Sequence, residues 1–123
     1  MNRGIGVDLI SISRFIKFKN PDDSSLRRIF ADIELEYCFS KANPARHLAG
    51  RFAGKEAMIK AFANVGVSGF DYKEIEIINN KNGVPEAVIR GNLKLNGAYL
   101  NLSLSHTDEL AIAFAVVEMK NKQ

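Results

Sequence analysis

The chain has one cysteine, Cys38, so no disulfide can close within it. That usage fits a reducing compartment. No neighbour in sequence marks Cys38 as a nucleophile, and it reads as a small buried hydrophobe. Tryptophan is absent, so the large core pieces must come from eight phenylalanines. No apolar run approaches the roughly 20 residues that span a bilayer. The opening MNRGIGVDLI has no apolar signal segment followed by a small-residue cleavage site. A soluble, cytoplasmic protein is the expectation. Excess charge is also scarce: +3 in all, too little to argue for nucleic acid unless it is clustered. Arg14, Lys17, Lys19, Arg27 and Arg28 do cluster, against Asp22 and Asp23. Such a patch suits an acidic partner, or is simply a solvated surface. Walker A, Gly-x-Ser-x-Gly and CxxC patterns are missing, and Gly4-Ile-Gly-Val-Asp-Leu is too short for a dinucleotide fingerprint.

What is present points to one globular domain over 1–123. The chain is 46% hydrophobic and 25% charged, a balance that excludes wholesale disorder. Gly4–Ser13 alternates as a strand, with Ile5, Val7 and Leu9 on one side and Gly4, Gly6, Asp8, Ile10 and Ile12 on the other. Glycines inside a strand mark close approach of another backbone or a ligand. Short helices are expected over Arg14–Lys19, from Ser24 to Phe30 and from Asp32 to about Ser40. Asn43-Pro44 then signals the start of a long helix through Ala63, with Asn as N-cap and Pro in the first turn. That helix is apolar over most of its circumference, with Arg51 and Lys55 as its wet strip. Gly50 and Gly54, four apart, suggest a closely packed neighbour. Tyr72–Asn79 and Pro85–Ile89 read as strands around the Asn82-Gly83 turn. Gly91–Gly97 reads as a short connection. Tyr99–Ser105 and Ala111–Glu118 form a last hairpin whose alanine side (Ala111, Ala113, Ala115) is flat enough to accept a helix or another subunit. Segregated elements of this kind specify an α+β fold, with a mainly antiparallel sheet around a long buried helix.

Two acids stand out. Glu56 lies on a helix face whose neighbours are Ala45, Ala49, Phe52, Ala53, Ile59 and Ala63, with only Lys60 polar on that side. Asp8 sits in the first strand beside two glycines. A carboxylate on an apolar face needs a cation or a full set of donors. Oxygen ligands without His or Cys favour Mg²⁺ over Zn²⁺, and two carboxylates suit Mg²⁺ completed by water and substrate phosphates better than a Ca²⁺ cage. The plainer alternatives are an i,i+4 pair of Glu56 with Lys60 and an Asx turn at Asp8. Lys60, one turn beyond Glu56, is placed to neutralise a phosphate. His106 shares a face with Leu102 and Leu104; it is a satisfied turn residue or, near a phosphate, a donor.

Three segments then assemble into a likeness: GIGVDLISISRF, AGRFAGKEAMIKAF and NLSLSHTDELAIAFAVVE. The chain resembles holo-(acyl-carrier-protein) synthase, the short bacterial class of 4'-phosphopantetheinyl transferases. The middle segment matches the family's F-x-x-K-E-A-x-x-K at Phe52, Lys55, Glu56, Ala57 and Lys60. The first matches Gly-(Ile/Val)-Asp at Gly6, Val7 and Asp8. The resemblance implies transfer of the 4'-phosphopantetheine arm of coenzyme A to a serine of apo-acyl carrier protein, leaving adenosine 3',5'-bisphosphate. It implies Mg²⁺ held by Asp8 and Glu56 and a phosphate contact from Lys60, with Glu56 and Lys60 as the catalytic pair. By the same likeness His106 and Thr107 lie near the 3'-phosphate, Asn82, Gly83 and Pro85 border the adenine, and Arg14, Arg27 and Arg28 meet the acidic carrier. It implies a homotrimer with sites between subunits, one use for the flat alanine face. The region 40–47 does not align cleanly and is assigned no role. The base that takes the serine proton stays open among Glu56, a metal-bound water and a neighbouring water. The competing reading is a small basic module that binds RNA or an acidic protein without chemistry. Against it, only Phe15 and Phe18 interleave the basic cluster as stacking aromatics, and their spacing suits core packing.

Overall fold

The computed structural model describes residues 2–91, 95 and 98–120. Most of the expected 91–97 connection lies outside the described residues. The order is β1 (Asn2–Ser11), a 3-10 turn (Ile12–Phe15), α1 (Ser24–Arg27), α2 (Asp32–Phe39), α3 (Pro44–Asn64), β2 (Ile75–Asn79), β3 (Pro85–Ile89), β4 (Tyr99–His106) and β5 (Leu110–Met119). Among the described residues all strand pairings are antiparallel, in two sheets rather than one: β1-β5-β4, and the hairpin β2-β3. The α+β expectation holds.

Helix α3 is the centre of the molecule. It starts as the Asn43-Pro44 signal specifies: the Asn43 side chain accepts from the Arg46 N–H and Pro44 occupies the first turn. Leu48, Ala49, Ala53, Ala57, Met58, Ala61 and Phe62 on it are wholly enclosed. Strand β1 lies across it at backbone contact. A Cβ on Gly6 would sit 1.9 Å from the Ala57 carbonyl oxygen, and one on Gly4 2.0 Å from that of Ala61. The two glycines therefore answer to a neighbouring backbone, as their place in a strand suggested. Gly6→Ala is expected to destabilise by about 1–3 kcal/mol or more through overpacking, and to lift Asp8, two residues on, away from α3. Urea denaturation checks it; an unchanged midpoint would contradict so tight a crossing. Gly54 is similarly constrained, because a Cβ there would reach Ile77 of β2 at 3.1 Å, whereas at Gly50 the nearest atom, on Leu104, is an ordinary 4.0 Å away.

Several expectations are corrected or narrowed. Arg51 and Lys55 are not a wet strip: Arg51 is 4% exposed and Lys55 is fully enclosed. Lys55 Nζ donates to Glu34 Oε1 at 2.7 Å, to the Tyr72 carbonyl at 2.9 Å and to the Ile75 carbonyl. Glu34 in turn accepts from the Ala31 and Ile77 backbone N–H groups. This buried pair joins α2, α3 and β2. Of the two bodies the alanine face of β5 could accept, it takes a helix and not another subunit: Ala111, Ala113 and Ala115 are buried in the chain's own core, on the side that faces α3. The opposite face of that sheet is the open one: Ile5, Val7, Leu9, Ile112 and Phe114 are all exposed, with Val7 paired to Phe114 and Leu9 to Ile112. Finally, Tyr72 does not begin a strand; Tyr72–Glu74 is a 3-10 turn. The first helix after β1 is likewise only a 3-10 turn, Ile12–Phe15, instead of a helix over Arg14–Lys19. Cys38 is 0% exposed, and burial pushes its thiol up to about 12, which suits an inert core residue. Among the described residues no helix is long and apolar enough to cross a membrane.

Candidate active site

The crossing of β1 over α3 brings the two acids together. Asp8 lies two residues past the Gly6 contact with Ala57, and Lys60, on the next turn of α3 after Glu56, donates to Asp8 Oδ1 at 3.2 Å and to the Val7 carbonyl at 2.9 Å. Lys60 thus pairs with Asp8 across the elements, and the i,i+4 pair with Glu56 is not formed. Glu56 is half-buried, and the Tyr72 hydroxyl donates to its Oε1. The electrostatics agree with this proximity. Burial pushes the Asp8 carboxyl above its usual range and the Glu56 charge adds to the rise, while Lys60 and Arg14 oppose it. The Tyr72 phenol is pushed up to about 12, first by its bond to Glu56, then by burial and by the charges of Glu56 and Asp8. Asp8 and Glu56, each half-buried, thus feel one another's charge across the crossing, with Lys60 bonded to Asp8 and Tyr72 to Glu56.

This donor set fits Mg²⁺. Both side chains are hard oxygen donors, and hydrogen bonds among the described residues engage one oxygen of each carboxyl. Among the described residues no group of three or more His, Cys, Asp or Glu side chains is gathered, so a closed protein cage is not built. Two carboxylates with the remaining positions open to water and phosphate oxygens are what Mg²⁺ takes.

Other candidate residues fall into separate neighbourhoods. Arg14 lies over the Phe52 ring, 5.4 Å from its centroid, and borders a cleft of about 500 Å³ with Phe15, Lys17, Phe18, Ile29 and Tyr72. Arg28 borders the next cleft with Tyr72, Lys73 and Arg90. Arg27 is engaged by Asp32 at 2.7 Å and Asp22 at 3.9 Å. Phe15 is 4% exposed and packs against Phe18, Phe30 and Phe52, so it belongs to the core, while Phe18 is half-buried at the cleft wall and the pair makes no open stacking platform. Thr107 shapes the β4–β5 turn: its Oγ1 accepts from the Glu109 and Leu110 N–H groups. Asn82, Gly83 and Pro85 lie at the β2–β3 turn, where Asn80 Oδ1 accepts from Asn82 and Val84 and Gly83 takes φ +79°. No hydrogen bond or ion pair among the described residues ties that turn to the acid pair.

One cluster was missed in the sequence. His106 shares a small pocket with Arg46, His47 and Arg51 of α3. The Arg46 and Arg51 Nε atoms are buried without a partner among the described residues. Burial and then the Arg51, Lys41, Arg46 and His106 charges hold the His47 ring below its usual range. The pocket is a concentration of positive charge with spare donors. A run of Arg and His at 46, 47 and 51 was the available signal, but on a helical wheel it looks like solvated surface.

Comparison with known proteins gives one answer throughout. The family model of the 4'-phosphopantetheinyl transferase superfamily matches residues 4–115. A holo-(acyl-carrier-protein) synthase of Geotalea daltonii is 39% identical over 121 residues, covering 94% of this chain and 97% of that protein. One of Thermodesulfovibrio yellowstonii is 40% identical over 118 residues, covering 95% and 99%. Among solved structures, the Helicobacter pylori holo-(acyl-carrier-protein) synthase in complex with coenzyme A superposes with TM-score 0.77 at 30% identity, covering 93% of this chain and 99% of that one. The Bacillus anthracis holo-(acyl-carrier-protein) synthase in complex with CoA (3',5'-ADP) gives 0.76 at 31%, covering 95% and 96%.

Proposed function

The chain belongs to the 4'-phosphopantetheinyl transferase superfamily, and from that premise we propose that it moves the 4'-phosphopantetheine arm of coenzyme A onto a serine of apo-acyl carrier protein. The reaction is Mg²⁺-dependent and releases adenosine 3',5'-bisphosphate. The observation that carries this reading is the meeting of Asp8, Glu56 and Lys60 where β1 crosses α3. Asp8 and Glu56 would hold the cation. When bound, Mg²⁺ neutralises pyrophosphate charge as a Lewis acid and aligns the reacting groups. Lys60, already exposed beside Asp8, turns its ammonium to a phosphate oxygen and stabilises the charge that builds there. The serine oxygen bonds to the β-phosphorus, and the bond from that phosphorus to the bridging pyrophosphate oxygen breaks. The serine proton goes to Glu56 or to a water beside it.

The Arg46, His47, Arg51 and His106 pocket supports a 3'-phosphate site, with Thr107 the next residue after His106 in the chain. The exposed face of Ile5, Val7, Leu9, Ile112 and Phe114 supports a homotrimer, since so much open apolar surface calls for a partner. In that assembly Asn82, Gly83 and Pro85 border the adenine of a site between subunits. The Arg14 cleft, cationic at Arg14 and Lys17 with the half-buried Phe18 beside them, supports docking of an acidic, amphipathic carrier helix. Arg28 extends that surface. Arg27 joins it once its own Asp22 and Asp32 contacts are exchanged.

Incubation with coenzyme A, Mg²⁺ and apo-carrier, followed by mass spectrometry, tests the transfer. The carrier should gain one phosphopantetheine arm; a carrier of unchanged mass sinks the reading. Charge reversal at Arg14 (Arg14→Glu) should raise the KM for the carrier about tenfold, a loss of roughly 1.4 kcal/mol, and leave the KM for coenzyme A nearly unchanged. An equal rise in both would refute the docking role.

A further inference from the structure

We propose that the Tyr72 hydroxyl is a positioning group for the cation site, holding one oxygen of Glu56 so that the other is presented to a divalent cation shared with Asp8. The proposal rests on the reading of Asp8 and Glu56 as metal ligands. Its basis is a closed loop of contacts. Lys55, buried in α3, donates to the Tyr72 carbonyl at 2.9 Å, and so fixes the backbone from which the Tyr72 ring projects. The ring packs on Phe52, with centroids 5.4 Å apart, and its hydroxyl returns to Glu56, the residue after Lys55. The 3-10 turn is itself held by the bond from the Asp71 N–H to Glu74 Oε1 at 2.7 Å. One turn of α3 therefore anchors Tyr72 by its main chain and is anchored by it at a side chain. A half-buried glutamate has several rotamers open to it, and a donor locked in this way selects one. Groups that orient a metal-binding carboxylate in this manner typically affect cation affinity about 10–100-fold.

Tyr72→Phe isolates the hydroxyl, because it keeps the ring on Phe52 and the carbonyl that Lys55 holds. Two quantities should be measured: Mg²⁺ affinity by calorimetry on enzyme saturated with coenzyme A, and the Mg²⁺ concentration giving half-maximal transfer. Both are expected to weaken about tenfold, with the melting temperature unchanged. A Tyr72→Phe enzyme with wild-type or tighter Mg²⁺ affinity overturns the proposal, whether or not its stability has fallen. A wild-type enzyme that binds no Mg²⁺ overturns the underlying reading and this proposal together. A normal wild type beside an indifferent variant overturns this proposal alone.

Discussion

Glu56→Gln should lower the rate of transfer at least about 10²–10³-fold, the scale on which single electrostatic contributors to a transition state act. The fold should survive. Glutamine has the shape of glutamate, its amide oxygen can still accept from the Tyr72 hydroxyl, and the Lys60–Asp8 contact at 3.2 Å does not involve it. What is lost is one of two negative charges that share the site. Asp8 alone, already facing Lys60, is left to attract the cation, so raising Mg²⁺ should recover only part of the rate. The burial and the neighbouring Glu56 charge that lift the Asp8 carboxyl also mean that the apo-site gains by losing a charge, so the variant should melt no lower than the wild type. Turnover on coenzyme A and apo-carrier, measured across a Mg²⁺ series, checks this. Near wild-type turnover at any Mg²⁺ concentration would show that Glu56 has no role in the chemistry.

Lys55→Met should have the largest effect on stability. It removes one partner of an ion pair in which both side chains are wholly enclosed, and leaves Glu34 as a buried charge. Breaking such a pair from one side costs about 3–5 kcal/mol, a large share of the 5–15 kcal/mol that holds a domain together. Three elements lose their tie at once, since Lys55 also satisfies the Tyr72 and Ile75 carbonyls and Glu34 the Ala31 and Ile77 N–H groups. Equilibrium urea unfolding measures the loss. A cost below about 1 kcal/mol, the range of an exposed pair, would contradict the burial.

The residues that could be read in advance are those whose constraint is local or lies in simple periodicity. Alternation in β1 placed Gly4, Gly6 and Asp8 on the inward side. The Asn43-Pro44 pair located the start of α3, and Asn82-Gly83 the turn between β2 and β3. Glu56 was legible because it broke an apolar pattern. Lys55 and Arg51 misled for the converse reason. Charge at helical spacing looks solvated, and nothing local tells that Lys55 meets Glu34, 21 positions away. The alanine face of β5 was recognised as flat, but which body covers it depends on the direction in which the sheet closes over α3. Tyr72 looked like the first residue of an alternating strand, and the turn that aims its hydroxyl at Glu56 is a tertiary outcome. The 46, 47, 51 and 106 cluster likewise forms only when β4 docks beside the start of α3.

The most direct test is a crystal structure of the enzyme with coenzyme A and Mn²⁺ in place of Mg²⁺, read by anomalous scattering. One strong peak is expected between Asp8 and Glu56, at ligand distance (about 2.0–2.2 Å for such hard cations) from an oxygen of each and from the pyrophosphate. Coenzyme A bound in the cleft with no peak there, or with its peak away from both carboxyls, would contradict a shared ion at this crossing.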